Sequence, residues 1–289
     1  MRISGGVSAA FAVIVVGGAL LAQTAPSQQA PATRPPRAPA IDGWTGRPVQ
    51  IGEANPPVAA PPRDLTGTWE PANGPGDGIQ AFGAKNMPDD GKPEHQLSFT
   101  PAGLAAMQPH KPGFGTRAVD PNEINDPVNS CDPQGMPRQD LYEVRSTQIL
   151  QTPKKLTLLY EYNKIWRVIW MDGRQLPQDP EPQWYGYSTG KWVDDYTFVA
   201  ETIGTDERTW VDNAGRSHSG EMHIEERFHR VSRDRLELTV TLTDPKFYSK
   251  PWVALDKFPM TLMPDDFHVR EMVCSPSEYQ QYLKTFVGN

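Results

Sequence analysis

The sequence predicts a mainly β fold: an antiparallel meander closing as an up-and-down barrel or a strongly curled sheet, followed by a short C-terminal helix. Three observations predict it. Between Leu156 and Val240 apolar and polar residues alternate with a two-residue period in several short runs. Turn dipeptides join those runs. Ser275-Pro276-Ser277-Glu278 has the form of a capping box, which starts a helix running to about Phe286.

Taken from the N-terminus, residues 1–25 read as an export signal. Arg2 supplies the positive start, Ala9 to Ala22 is apolar, and Ala22 and Ala25 offer small residues for cleavage. The apolar run is shorter than the roughly 20 residues a membrane span needs. The expectation is a soluble exported protein, periplasmic or secreted, with no stable membrane insertion after signal cleavage. Residues 26–63 are punctuated by prolines and have hardly any large apolar side chain, so they are expected to form a disordered linker. Residues 64–289 are long enough for a single β-barrel-like domain.

Within that domain Leu65 to Trp69 is a short β-type run, and residues 70 to 140 are a Gly/Pro-rich excursion expected to cover one side or mouth of the sheet. Inside it, Thr100 caps and Pro101 opens a helix to about Met107. A hairpin follows, Leu156 to Tyr162 and Ile165 to Met171, with Asn163-Lys164 as its turn. That register sets Tyr160 opposite Arg167 and Glu161 opposite Trp166. Further strands are expected at about 196–203, 221–231, 235–243 and 252–262, the third being the clearest alternation.

A formal net charge of −7, with no Lys/Arg cluster, argues against nucleic acid or an anionic membrane as partner. The two cysteines, Cys131 and Cys274, are expected to form a disulfide, since neither has a His or Lys beside it to lower its pKa. No phosphate loop, dinucleotide fingerprint or serine nucleophile elbow occurs, so no cofactor is predicted. His218 and His223, with Glu221 and Glu225, match no zinc spacing, so no metal is predicted either. Nothing in the sequence specifies an oligomeric state.

Gly67-Thr68-Trp69 resembles the first-strand motif of lipocalins and related barrels, in which the Trp closes one end beneath an Arg from a late strand; Arg270, in the β-like run 267–273, is the arginine that this implies here. A wider set of motifs runs from Cys131-Asp132-Pro133-Gln134-Gly135-Met136-Pro137-Arg138 through Gln151-Thr152-Pro153, Asp172-Gly173-Arg174, Gly190-Lys191-Trp192, His218-Ser219, Glu226-Arg227 and Asp244-Pro245 to Lys250-Pro251-Trp252. Together they are similar to a family of exported bacterial proteins of lipocalin-like description, over roughly residues 64 to 275. The resemblance implies a β-barrel-like exported domain and candidate positions, and no particular activity. Where the family commonly has Trp-Glu-Gly-Asp, this chain has Trp192-Val193-Asp194-Asp195, leaving no acid at 193.

The chemistry candidates are breaks in the alternation. Glu226 falls on the apolar face defined by Met222, Ile224 and Phe228, so it needs a cation inside the sheet, and Arg167 or Arg174 is nominated. Glu161 is inward by the same reasoning, and His223 lies on the polar face. Two readings follow. In the first, a small hydrophobic or aromatic ligand sits in a barrel pocket lined by Tyr160, Arg167, Trp170, Arg174, Trp184, Trp192, Phe198 and Glu226. In the second, Glu226, Glu161, Arg167 and His223 serve a lyase, isomerase or hydrolase. An ion pair that serves only the fold fits the same Glu and Arg.

Overall fold

The run Arg235–Thr243 shows how this chain builds a wall. Leu236, Leu238, Val240 and Leu242 are fully or nearly fully buried, and the residues between them are half-exposed. The same two-residue alternation recurs in nine strands that close a barrel. The computed structural model describes residues 39–49, 52–72, 97–114, 117–141 and 145–287. The export signal expected at 1–25 lies outside them. Among the described residues no helix is long and apolar enough to cross a membrane.

Outside the barrel wall, β1 (Ala40–Ile41) and β2 (Pro48–Val49) form a small hairpin. The wall consists of β3 (Gly67–Pro71), β4 (Thr147–Thr152), β5 (Lys155–Tyr160), β6 (Trp166–Trp170), β7 (Tyr187–Trp192), β8 (Thr197–Ile203), β9 (His223–Ser232), β10 (Arg235–Thr243) and β11 (Trp252–Leu262). Each strand pairs with the next in the chain, and β11 pairs with β3 to close the ring. A closed ring with an odd number of strands cannot alternate direction all the way round. One neighbouring pair must be parallel, and here it is β6 and β7. A parallel return needs a long connection, which residues 171–186 supply. Every other neighbouring pair in the ring is antiparallel, as the sequence predicts.

Strands β10 and β11 fall where the sequence places them; β4 and β7 were not expected. Tyr187–Trp192 has a serine facing inward and a glycine in its middle, so it lacks an apolar alternation. Gly190 is not a turn residue: a Cβ there would come within 2.4 Å of Phe198 Cζ, so glycine is what lets β7 lie against that ring. The β5–β6 hairpin pairs Leu158 with Arg167 and Leu159 with Trp166, a register two residues from the expected one. Its connection is longer than Asn163-Lys164, and both of those residues hold positive φ. An even shift preserves the face of every side chain, so Arg167 and Tyr160 still point inward. Residues 267–273 form no strand, Met272 making only an isolated bridge to Tyr162.

Trp69 is fully buried at one end, its indole N–H donating to Leu65 O at 3.0 Å. The guanidinium over it is that of Arg230 on β9, 5.1 Å from the ring centroid, and not Arg270, which pairs with Glu161 at 2.8 Å. Arg230 also donates to Asp64 O and Arg233 O at 2.6 and 2.9 Å, tying the start of the domain to the β9–β10 turn.

At the other end the β8–β9 and β10–β11 connections pack together. Asp244 accepts from Ser219 N and Oγ, both at 2.7 Å, and Tyr248 Oη donates to Ser217 O at 2.6 Å. Helix α1 (Pro101–Met107) is capped by Thr100, as the sequence predicts. Helix α2 (Arg138–Leu141) is wholly buried and held by a two-bond ion pair from Arg138 to Asp126 at 2.8 and 2.6 Å. Helix α3 (Pro276–Tyr282), capped by Ser275, follows the Cys131–Cys274 disulfide, which is formed.

The proline-rich stretch expected as a linker, 26–63, is docked over much of its length. Gly43 N donates to His268 O, Ala54 N to Asp234 Oδ2, and Arg233 N to Val58 O, while Ala40 packs with Met263 and Phe267. Backbone hydrogen bonds hold this segment where large apolar side chains are scarce. Its residues 26–38, 50 and 51 lie outside the described ones.

Candidate binding site

The parallel seam decides where a ligand has room. Strands β6 and β7 are in register at a single pair, Trp170 with Thr189. Beyond that pair they diverge, and a cleft of about 790 Å³ opens in the barrel wall. Trp166, Trp170, Trp184, Tyr185 and Tyr187 line it, with Arg174, Arg208 and Asp206 at its sides and Arg167 and Ser188 reaching it from the barrel interior. Its volume lies within the range usual for small-molecule sites. The barrel interior is different. Among the described residues, Leu158, Phe228, Leu236, Leu238 and Met260 line a space there of about 20 Å³, room for about one water.

Behind the cleft lies a buried polar centre. Arg167 donates from Nη1 to Glu226 Oε1 at 2.8 Å and from Nη2 to Oε2 at 2.5 Å. Its remaining bonds go to Ser188 Oγ, 3.1 Å from Nε, and to Thr202 Oγ1, 2.7 Å from Nη2. Burial alone would lower the Arg167 pKa, but the Glu226 charge outweighs it and holds the guanidinium firmly protonated. Asp140, on α2, stands beside this pair. Burial first, and then the Glu226 charge, hold the Asp140 carboxyl well above the usual carboxylate range, with Arg167 opposing. Burial likewise raises the Tyr160 hydroxyl. Among the described residues Asp140 Oδ2 and Tyr160 Oη find no well-formed hydrogen-bond partner, and both residues line the small void.

A pH dependence follows. Asp140 keeps its proton in the fold at pH values where the unfolded chain has lost it. Its contribution to stability is therefore full below about pH 4 and declines as pH rises. Asp140→Asn is expected to raise the urea midpoint at neutral pH and to leave it unchanged in acid. A midpoint difference that does not vary with pH would rule this out.

Of the residues nominated from the sequence, Arg167, Trp170, Arg174 and Trp184 line the cleft. Tyr160 and Glu161 line the interior void, while Trp192, Phe198 and Glu226 line neither space. Trp192 meets Phe198 edge-on at 5.4 Å. Glu161 is buried and pairs with Arg270. His223 is half-exposed on β9 opposite Thr243. His218 is buried in the β8–β9 connection, its Nε2 2.8 Å from Thr209 Oγ1, and burial lowers its pKa. Arg174 is exposed and pairs with Asp172, not with Glu226. Among the described residues, the space inside the barrel beside Tyr160 and Glu161 is narrow, and the roomier one lies in the wall between β6 and β7.

Sequence reading missed Asp140 and the pair Asp206 and Arg208. Asp140 sits on a helix of four residues, too short to show a period. Asp206-Glu207-Arg208, however, repeats the spacing of Asp172-Gly173-Arg174, and that repetition was available. Comparison of the chain with protein-family models, curated proteins and solved structures returns no match.

Proposed function

We propose that this chain is an exported, lipocalin-like binding protein that holds a small hydrophobic or ring-bearing molecule in the β6–β7 cleft, without chemical turnover. The observation that carries this reading is the contrast between the two spaces: about 790 Å³ of aromatic-lined cleft against about 20 Å³ inside the barrel. Tryptophan and tyrosine rings give a ligand large apolar contact at low entropic cost, with polar edges to orient it. The disulfide suits an oxidising compartment, which supports export. Against turnover, Arg167 and Glu226 satisfy each other and Ser188 and Thr202 complete the shell, so neither is left to act on a substrate.

The test uses the mature chain and N-phenylnaphthylamine as a fluorescent ring-bearing probe. Saturable binding is expected, with Trp184→Ala and Trp170→Ala each weakening it about tenfold or more. Binding that survives both substitutions would place the probe elsewhere and defeat the reading.

A further inference from the structure

The cleft carries the same three-residue device twice. In the first, Asp172 Oδ1 accepts from Arg174 N at 3.3 Å and Nε at 2.9 Å, and Oδ2 accepts from Nη2 at 2.7 Å. This lays the Arg174 guanidinium over the Trp170 ring, 3.6 Å from its centroid. In the second, Asp206 Oδ1 accepts from Arg208 N at 3.0 Å and Nε at 2.9 Å, and Oδ2 from Nη2 at 2.6 Å. Arg208 then lies over Trp184 at 4.2 Å. The local cause is shared: an Asp that accepts from the backbone N–H two residues on makes a tight turn. That turn points the next-but-one side chain back along the carboxylate. The two devices come from different connections, 171–186 and 204–222, and Arg174 of the first lines one cleft together with Asp206 and Arg208 of the second.

Each device is electrically neutral, a guanidinium already matched to a carboxylate in two-bond geometry. Its outward edge still offers hydrogen-bonding capacity, because Nη1 of Arg174 and of Arg208 makes no hydrogen bond among the described residues. Donors and carboxylate acceptors therefore stand side by side beside an aromatic ring. An anion would find both cations neutralised and the whole chain acidic, at −7. A purely hydrocarbon ligand would leave the donors stranded without water. A ring with neighbouring hydroxyls, each of which both donates and accepts, answers the polar edge. Its C–H faces answer Trp166, Tyr185 and Tyr187, which line the same cleft.

We propose that the β6–β7 cleft binds a neutral polyhydroxylated ring ligand, an oligosaccharide, with the Asp172–Arg174 and Asp206–Arg208 pairs as hydroxyl-binding forks. This rests on the cleft being the binding site and narrows the class of molecule it takes. A cleft of about 790 Å³ is larger than a single sugar ring fills, so a chain of sugars suits it better than a monosaccharide.

The experiment titrates the mature chain with neutral oligosaccharides (cello-, malto-, xylo- and chito-oligomers) and with oligogalacturonate, following tryptophan fluorescence and heat. N-phenylnaphthylamine is run in parallel. At least one neutral oligomer is expected to bind saturably, with an affinity that high salt leaves unchanged. Arg208→Ala, Arg174→Ala and Arg208→Lys should each weaken it about tenfold without moving Tm, the Lys variant because it keeps the charge and loses the fork. Binding of oligogalacturonate alone, lost in salt, overturns the neutral class. Binding of the naphthylamine probe with no oligosaccharide binding overturns the oligosaccharide inference and leaves the cleft as the site. Binding of neither defeats both.

Discussion

Glu226→Gln is expected to destabilise the fold by about 3–5 kcal/mol, the cost of leaving a buried charge without its partner. Glu226 and Arg167 are 0% and 4% exposed, so water does not replace what is removed. A glutamine keeps one acceptor for the guanidinium and turns an amide donor toward the other N–H, where donor meets donor. Arg167→Met should cost a similar amount by stranding Glu226. The double variant should be much less unstable than the sum of the two, with a coupling of about 1 kcal/mol or more. Denaturant midpoints of the four proteins measure this. Small, additive effects would mean that the pair does not hold the barrel together.

Asp140 adds a further expectation. The Glu226 charge is one of the forces that keep Asp140 protonated. With that charge gone, Asp140 ionises more readily and answers Arg167 in its place. The loss caused by Glu226→Gln should therefore be smaller in mildly alkaline than in acidic solution. Adding Asp140→Asn should remove that relief, giving a double variant worse than additivity predicts. A pH-independent loss in Glu226→Gln would exclude the exchange of roles.

These contacts show which parts of the fold could be read in the sequence. The inward position of Glu226 among Met222, Ile224 and Phe228 is a period-two fact, and so is that of Arg167. Even a register read two residues out left both on the core face. The guanidinium over Trp69 is that of Arg230 and not the expected Arg270, because which arginine lies there depends on how the barrel closes. The cleft could not be read in this way. It exists because nine strands leave one parallel seam, and the count was hidden as long as Thr147–Thr152 and Tyr187–Trp192 passed for loops. The first exposes Leu150 and the second buries Ser188, so each runs against the hydrophobic alternation used to find strands.

Removing the Cys131–Cys274 cross-link is expected to cost about 5 kcal/mol, from the sequence separation of 143 residues and the chain-entropy relation. Strands β4 to β11 all lie inside the loop it closes, and β3 alone of the barrel strands lies outside. The cross-link therefore constrains the unfolded form of nearly the whole barrel, and its loss should appear in global unfolding. It should also appear locally. Helix α3 has no buried residue; beside the disulfide, the hydrogen bond from Cys274 N to Asn163 Oδ1 at 2.6 Å holds its start. Reduced wild type and Cys131→Ser/Cys274→Ser should share one denaturant midpoint, well below that of the oxidised chain. In both, the amides of 276–282 should exchange faster than those of β9 and β10 under native conditions. A midpoint within about 1 kcal/mol of the oxidised protein would show that the unfolded chain is already compact enough to make the cross-link redundant. Unchanged protection of α3 would show that Asn163 and the turn around it suffice to dock the helix.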